Sequence, residues 1–220
     1  MLTIDQCVQA NRPMIFVVAE SDLEFLEYLY ENHKDGRYHV YSQTFAGTVP
    51  LEDVMKKRFS VRAPKAATTI DVIDKILSMD FPSSNKTFET FVFLDADNYI
   101  HDKQTVRKIK DVMSRYQLDV AYTVNLMFVS QTVSVPPALE RLSEMVFFDL
   151  PSETQLKETS ERLANDLDLK GKKRPGDEIV SNLKGLTKFE VEQAYLQSFT
   201  LYEGVDLTFV RDFKKNAIAK

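Results

Sequence analysis

Short apolar runs alternate with amphipathic stretches through the first two thirds of the chain. The run Met14–Ala19 is rich in β-branched and aromatic residues, which is typical of a strand buried on both faces. Ser21 follows as a candidate N-cap, with Glu24 three residues later and leucines at helical spacing behind it. Further apolar runs predict strands over residues 39–45, 88–94, 120–129 and 145–150. Because helical patterns separate these runs, the sequence predicts an α/β fold with a five-stranded parallel sheet covered by helices.

The helices expected between these strands differ in how clearly the pattern marks them. Apolar positions at helical spacing predict one helix capped by Thr69 and another over residues 103–116. Weaker patterns predict short helices over residues 51–57 and, led by two prolines, over residues 136–142.

After Pro151 the pattern is helical, beginning with Ser152 as a candidate cap. Two further helices and a last segment, extended or helical, are expected over residues 178–183, 188–201 and 205–213. We therefore predict an α/β core over residues 1–151 and a helical subdomain over residues 152–220.

Composition places the chain among ordinary globular proteins. Hydrophobic residues make up 44% and charged residues 28% of its 220 positions, which disfavours disorder, collagen-like repeats and coiled-coil filaments. The formal net charge of -5 disfavours a broad surface for nucleic acid or anionic membranes. A single cysteine, Cys7, cannot form an intrachain disulfide, and no apolar run approaches the roughly 20 residues that span a bilayer. The start also lacks a secretory signal, so we expect a cytoplasmic protein with no membrane association.

An apolar strand that ends in an acid is the first candidate for chemistry. Residues 91–94 run directly into Asp95, the form of a Walker B motif, in which the acid holds Mg²⁺ at the carboxyl edge of a sheet. Ala96 occupies the position where a hydrolytic site usually has a glutamate. On an extended chain Asp97 would face as Asp95 does and add a second bond to the metal. The alternative is that Asp95, Asp97 and Asn98 only end a strand and cap a turn.

The turn after the first strand is where a phosphate-binding loop would lie. Such a loop needs glycines, a lysine and a hydroxyl residue, and the pattern GxxxxGK[ST] occurs nowhere in the chain. The turn here reads Glu20, Ser21, Asp22, and Glu24 follows in the expected helix. Three carboxylates at a helix N-terminus repel a triphosphate. The sequence therefore predicts that the chain does not hydrolyse ATP.

Further motifs resemble one protein family. They are an opening strand over residues 12–18, Val-Pro-Pro-Ala-Leu-Glu over residues 135–140, a Leu-Pro exit over residues 146–151, and a Gly-Leu-Thr turn that opens a helix over residues 185–194. Together with the order of elements, they resemble the AAA+ ATPase module. The likeness is closest to the degenerate N-terminal half, which lacks a P-loop, of chloroplast, cyanobacterial and phage AAA-like ATPases.

The resemblance implies a strand order of 5-1-4-3-2 and a helical lid after the fifth strand. It also implies a noncatalytic scaffold that packs against an AAA-like module or a copy of itself, as the N-terminal half of, or partner to, an active ATPase. Glu24 and Arg141 are then candidate interface residues, and Arg141 is the one candidate for an arginine finger. Ser130 and Gln131 stand where a sensor residue would follow the fourth strand. No cofactor is implied beyond weak Mg²⁺ binding at Asp95.

Two other functions stay open. Asp95 and Asp97 form the Asp-x-Asp motif with which GT-A glycosyltransferases hold Mn²⁺ or Mg²⁺ and a sugar nucleotide. A basic stretch around Phe59 favours instead contact with nucleic acid or an acidic partner. Its members are Lys56, Lys57, Arg58, Arg62 and Lys65. A solvated surface loop is the simpler interpretation of the same stretch.

Overall fold

The computed structural model describes residues 3–10, 12–34, 36–57, 59–79, 89–118, 124–132, 134–167 and 177–219. The chain divides into two units, Met1–Phe148 and Asp149–Lys220. The first holds a sheet between two layers of helices, and the described residues of the second are mainly helical. Among the described residues of both units, no helix is long and apolar enough to cross a membrane.

Among the described residues of the first unit, six strands form one sheet. They are β1 (Met14–Ala19), β2 (Arg37–Ser42), β3 (Gly47–Pro50), β4 (Glu89–Phe93), β5 (Val124–Ser130) and β6 (Glu144–Phe148). Their order across the sheet is β3-β2-β4-β5-β1-β6. β1 is parallel to β5 and β6, and β4 is parallel to β2 and β5. The five parallel strands therefore have the predicted order 5-1-4-3-2, and the predicted fold class is confirmed.

The sixth strand corrects the expected count of five. β3 runs antiparallel to β2 at the edge of the sheet, where the pattern of apolar residues is weak. Gly47 opens β3 with φ 150°, and a Cβ there would lie 2.8 Å from the Cβ of Ala63 and 3.0 Å from the carbonyl oxygen of Lys65. The position requires glycine because the loop that follows α3 crosses the strand at this point.

Five helices of the described residues cover this sheet. They are α1 (Ile4–Gln9), α2 (Asp22–Asn32), α3 (Leu51–Lys56), α4 (Thr69–Ser78) and α5 (Lys103–Leu118). The first three share a core with Ile15 and Val17 of β1, whereas α4 and α5 pack on the other face against Phe16. β1 is therefore buried on both faces, as its continuous apolar run predicts.

One helix is not among the predicted elements, and one predicted helix is wrong. The unpredicted helix is α1, which begins behind Thr3 because the Thr3 side chain and Gln6 form a capping box, and which buries Ile4 and Cys7. Over residues 136–142 the chain forms a turn and then a 3-10 segment, Glu140–Leu142, in place of the expected helix. The Leu139 N–H donates to the Pro136 carbonyl at 2.8 Å and the Leu142 N–H to the Leu139 carbonyl at 2.9 Å, so these bonds span three residues and not the four of an α-helix.

The cap of α4 also differs from the prediction. The N-cap is Thr68, whose side chain accepts the backbone N–H of Asp71 at 3.2 Å. Thr69 is buried instead, and its hydroxyl donates to the phenol oxygen of Tyr41 at 3.0 Å. Two consecutive threonines are equivalent as sequence signals, and packing against the sheet decides between them.

The second unit is described by its own core. Its helices are α6 (Glu153–Asp166), α7 (Asp177–Leu183), α8 (Lys188–Tyr202) and α9 (Leu207–Ile218). Ser152 caps α6 as predicted, and Thr187 and Asp206 cap α8 and α9 through their side chains. Tyr195 and Val210 are fully buried between these helices. The last predicted segment, residues 205–213, is helical from Leu207 onward and forms the first part of α9.

Candidate functional site

Three strands of the sheet end at one edge and place polar residues there. β1 ends at Ala19, β4 at Phe93 and β5 at Ser130. In the parallel ladders Val18 pairs with Ser130 and Phe93 pairs with Phe128, so these ends lie side by side. We call this the carboxyl edge, and the opposite one, where the parallel strands begin, the amino edge. Ligands of open α/β sheets generally bind at the carboxyl edge.

Asp22 is the first residue of α2 and lies at the carboxyl edge. Its N-terminal neighbour Ser21 caps the helix by accepting the backbone N–H of Glu24 at 3.3 Å. Burial of the Asp22 carboxyl raises its pKa to about 6, and the charges of Asp95 and Asp97 contribute to that rise. These three residues therefore share one electrostatic environment, and we call them the aspartate cluster. The structure brings together the predicted acids of two turns that are far apart in sequence.

Asp95 ends the extended chain in the left-handed conformation, with φ 52° and ψ 43°. Aspartate is one of the few residues besides glycine that adopt this region at modest cost. A 3-10 segment over Ala96–Asn98 follows, and the Asn98 N–H donates to the Asp95 carbonyl at 3.1 Å. The expectation that Asp97 follows Asp95 on an extended chain is therefore wrong, although both carboxylates act on Asp22.

The end of β5 links the two acidic turns. The Thr132 hydroxyl donates to Oδ2 of Asp97 at 3.3 Å, and Nε2 of Gln131 donates to the carbonyl of Glu20 at 3.4 Å. Gln131 thus lies near the phosphate-loop position, as its place after the fourth parallel strand indicates. No sequence signal marks Thr132, because its contact with Asp97 exists only where the turn after β4 lies next to the end of β5.

Tyr99 stabilises the turn after β4 through a hydrogen bond to the backbone. Its side chain is buried, and its hydroxyl donates to the carbonyl of Leu94 at 2.7 Å. Burial raises the pKa of Tyr99, and Tyr41 and the aspartate cluster raise it further. The phenol therefore stays a neutral donor that holds the residue before Asp95. No sequence signal marks Tyr99, because its contact depends on the left-handed turn.

Asp95 and Asp97 are the pair that would hold a cation. Among the residues that the structure describes, no three acidic, histidine or cysteine side chains are arranged to hold a metal ion. The hydrogen bond from Thr132 occupies one oxygen of Asp97. Any Mg²⁺ here would depend on two carboxylates and on water, which Mg²⁺ usually retains in proteins.

The two candidate interface residues lie at opposite edges of the sheet. Glu24 is in the first turn of α2, at the carboxyl edge. Arg141 lies in the 3-10 segment just before β6 begins, and therefore at the amino edge. There it lines a cavity of about 210 Å³ together with Arg12 and Glu144. Arg141 is thus not brought to the aspartate cluster of its own chain.

The predicted basic stretch is partly neutralised. Lys56 and Lys57 each pair with the acid one helical turn earlier on α3, at 2.5 and 3.9 Å. Arg62 and Lys65 are exposed in the loop between α3 and α4, and Arg58 lies outside the described residues. Exposed pairs of this kind contribute little to stability, but they lower the positive potential that a nucleic acid would meet.

Comparisons with known proteins agree with this architecture. Residues 2–148 match a family model described as the N-terminal domain of SpoVK-like AAA ATPases. No curated protein matches the chain. A chain of the E. coli MS115-1 HORMA:CdnC:Trip13 complex is 12% identical with a TM-score of 0.54, and the match covers 96% of this chain and 76% of that chain.

Two more solved structures share the fold. C. elegans PCH-2 is 10% identical with a TM-score of 0.53, and the match covers 96% of this chain but 62% of PCH-2. The AAA domain of FIGL-1, solved in complex with ADP, is 8% identical with a TM-score of 0.53, over 94% of this chain and 73% of that domain. At such identities the likeness establishes the fold alone. Neither these structures nor the family match supports the sugar-nucleotide transferase or nucleic-acid alternatives.

Proposed function

The chain belongs to the family of SpoVK-like AAA ATPase N-terminal domains, and we propose that it is a noncatalytic module that docks against a neighbouring AAA-like module or a copy of itself. The observation that carries this proposal is the aspartate cluster at the carboxyl edge. Acids that share one environment there occupy the place where a nucleotide's phosphates would have to lie.

The residues of this edge do not fit a triphosphate. The turn over Glu20, Ser21 and Asp22 contains neither a glycine to let the backbone approach phosphate nor a lysine to neutralise it. Burial and two neighbouring acids already raise the pKa of Asp22, and phosphate oxygens would add further negative charge. Ala96 has no carboxylate with which to orient a water molecule. We infer that the module does not hydrolyse ATP.

The charge of the cluster suggests the chemistry of the docking partner. An arginine or lysine from a partner that approaches Asp22, Asp95 and Asp97 would offset their mutual repulsion and favour the ionised form of Asp22. Glu20 and Glu24 extend the acidic surface around the cluster. We therefore expect a basic partner surface and tighter docking at pH 8 than at pH 5. The HORMA:CdnC:Trip13 structure is a complex of several proteins, which supports a role in protein contacts for the fold in general.

Two measurements test the proposal. We expect ATP turnover by the chain to equal that of an Asp95→Ala variant, and turnover above that variant would contradict the noncatalytic role. Light scattering, alone and after mixing with an intact AAA module of the same family, should give a mass above one chain. Asp97→Asn should weaken that association and Asp111→Asn, on α5, should leave it unchanged. A mass of one chain under both conditions would overturn the docking role.

A further inference from the structure

A second concave site lies at the amino edge, far along the strands from the aspartate cluster. It is a cavity of about 510 Å³ formed where α2 ends, β2 begins and β3 meets α3. We call it the amino-edge cavity. Its volume falls within the roughly 300 to 1,000 Å³ typical of small-molecule sites. We propose that it binds a small acidic ligand that carries a flat ring.

Two imidazole rings in the cavity wall each contact a carboxylate that fixes their orientation. Nε2 of His33 lies 2.9 Å from Oδ1 of Asp5, and Nε2 of His39 lies 2.6 Å from Oε2 of Glu89. Because an ionised carboxylate can only accept, each Nε2 carries the hydrogen and the ring orientation is set. The His39 ring also stacks on Phe91, with centroids 4.9 Å apart. Rings held in this way lose little freedom when a ligand binds.

Tyrosines supply the remaining flat surfaces. At Gly36 the backbone lies against the ring of Tyr38, so that an added Cβ would be 2.8 Å from Cε2 of that ring. A side chain at position 36 would therefore displace the Tyr38 ring from this wall. Tyr30 also lines the cavity, and 39% of its surface is exposed. A flat ligand ring can stack on such a phenol, since offset aromatic pairs attract each other beyond the area they bury.

The charges of the lining favour an acid. Lys34 and Arg37 line the cavity, and no described acid pairs with Lys34. Glu52 is the acid in the lining, and Lys56 neutralises it at 2.5 Å. Arg37 shares Glu89 with His39, but its side chain is 65% exposed and retains further N–H donors. A carboxylate or phosphate attached to the ligand's ring would therefore meet the Lys34 ammonium and the remaining N–H donors of Arg37.

Aromatic acids and mononucleotides both have this chemistry, and a titration distinguishes them. The chain would be titrated calorimetrically at pH 8 with phenyl phosphate, AMP and inorganic phosphate. We expect saturable binding of at least one ring phosphate, and binding of inorganic phosphate about ten-fold weaker or more, because it lacks the ring. Preference for AMP over phenyl phosphate would indicate a nucleotide, and the reverse a simple aromatic acid.

Variants locate the binding. Lys34→Gln and Tyr30→Leu should each weaken the ring phosphate by about five-fold or more, whereas Lys103→Gln and Tyr202→Leu, which change exposed residues elsewhere, should not. Asp95→Ala should leave the affinity unchanged, which separates this site from the carboxyl edge. All variants would be checked for an unchanged unfolding midpoint. The proposal is overturned if no ring phosphate binds below about 5 mM, or if either Lys34→Gln or Tyr30→Leu leaves the affinity unchanged.

Discussion

At the amino edge of the sheet Glu89 lies between two basic side chains, 3.2 Å from Arg37 and 2.6 Å from His39. At the carboxyl edge burial raises the pKa of Asp22, and the like charges of Asp95 and Asp97 raise it further. One sheet thus carries a neutralised acid at one end and crowded acids at the other. Mutual repulsion of this kind costs folding free energy, whereas a paired and half-buried acid does not incur it.

The difference between the two edges indicates which of them is suited to bind a charged partner. A charge with a partner in the same chain contributes to folding and is less available to a ligand. Asp22, Asp95 and Asp97 have no basic partner among the residues that the structure describes, so a basic group of another molecule would supply one and the free energy recovered would contribute to association. We therefore assign the docking role to the carboxyl edge, and to the amino edge a preformed cavity with its rings already held in place.

The largest effect is expected when the paired acid is removed. Glu89→Ala leaves His39 and Arg37 without their acceptor, and the Glu89 side chain is only 12% exposed. We expect the free energy of unfolding to fall by about 2 to 3 kcal/mol. Chemical denaturation at pH 7 would measure it. Glu52→Ala, which breaks a fully exposed pair on α3, is the control and should have a much smaller effect. Equal effects of the two substitutions would show that the partly buried pairs of Glu89 contribute no more than an exposed pair, which would contradict the role we give Glu89.

Removal of a crowded acid should act in the opposite direction. The pKa of Asp22 is raised from 3.8 to about 6 in the folded state, so its favourable contribution is complete below pH 3.8 and is lost as the pH rises through 6. Asp22→Asn should therefore stabilise the protein by about 1 to 2 kcal/mol at pH 8, less a few tenths for the lost helix-dipole interaction, and by little at pH 4. Unfolding midpoints across this pH range would show the trend.

A matched acid provides the control for Asp22. Asp71 occupies the N-terminal turn of α4, where hydrogen bonds from Thr68 lower its pKa. Its contribution is therefore present above pH 3.8 and lost as the pH falls through the lowered value. Asp71→Asn should destabilise the protein at pH 8, opposite in sign to Asp22→Asn. If both substitutions shift stability in the same direction at pH 8, the folded state does not disfavour the Asp22 carboxylate through burial and its acidic neighbours as we describe.

The smallest effect concerns the support under the cluster. Tyr99→Phe removes the hydroxyl that donates to the Leu94 carbonyl at 2.7 Å and leaves the ring in place. We expect a loss of about 1 kcal/mol, with no change in the loss between pH 5 and 8 because the phenol stays neutral. Thermal unfolding would measure it. Tyr202→Phe, at an exposed position of α8, should have no measurable effect. A loss for Tyr99→Phe no greater than that for Tyr202→Phe would contradict the supporting role.

Some elements could be predicted from local pattern alone. Met14–Ala19 reads as a buried strand because a strand covered on both faces needs consecutive apolar residues. The four residues of β3 cannot be recognised as a strand in this way, since their pairing depends on Gly47 and on the loop after α3. The same limit applies to Thr68, which caps α4 although Thr69 offers the same side chain.

The sequence by itself determined the alternation of parallel strands and helices, the helices after Ser152, and the presence of acids in the turns after β1 and β4. Only the tertiary structure decided that Asp22 shares one environment with Asp95 and Asp97, that Thr132 and Tyr99 contact the second turn, and that Arg141 lies at the opposite edge. The physical reason is one of range. Apolar periodicity and capping act over a few residues, whereas the meeting of two turns depends on strand register and on one left-handed residue at the end of β4.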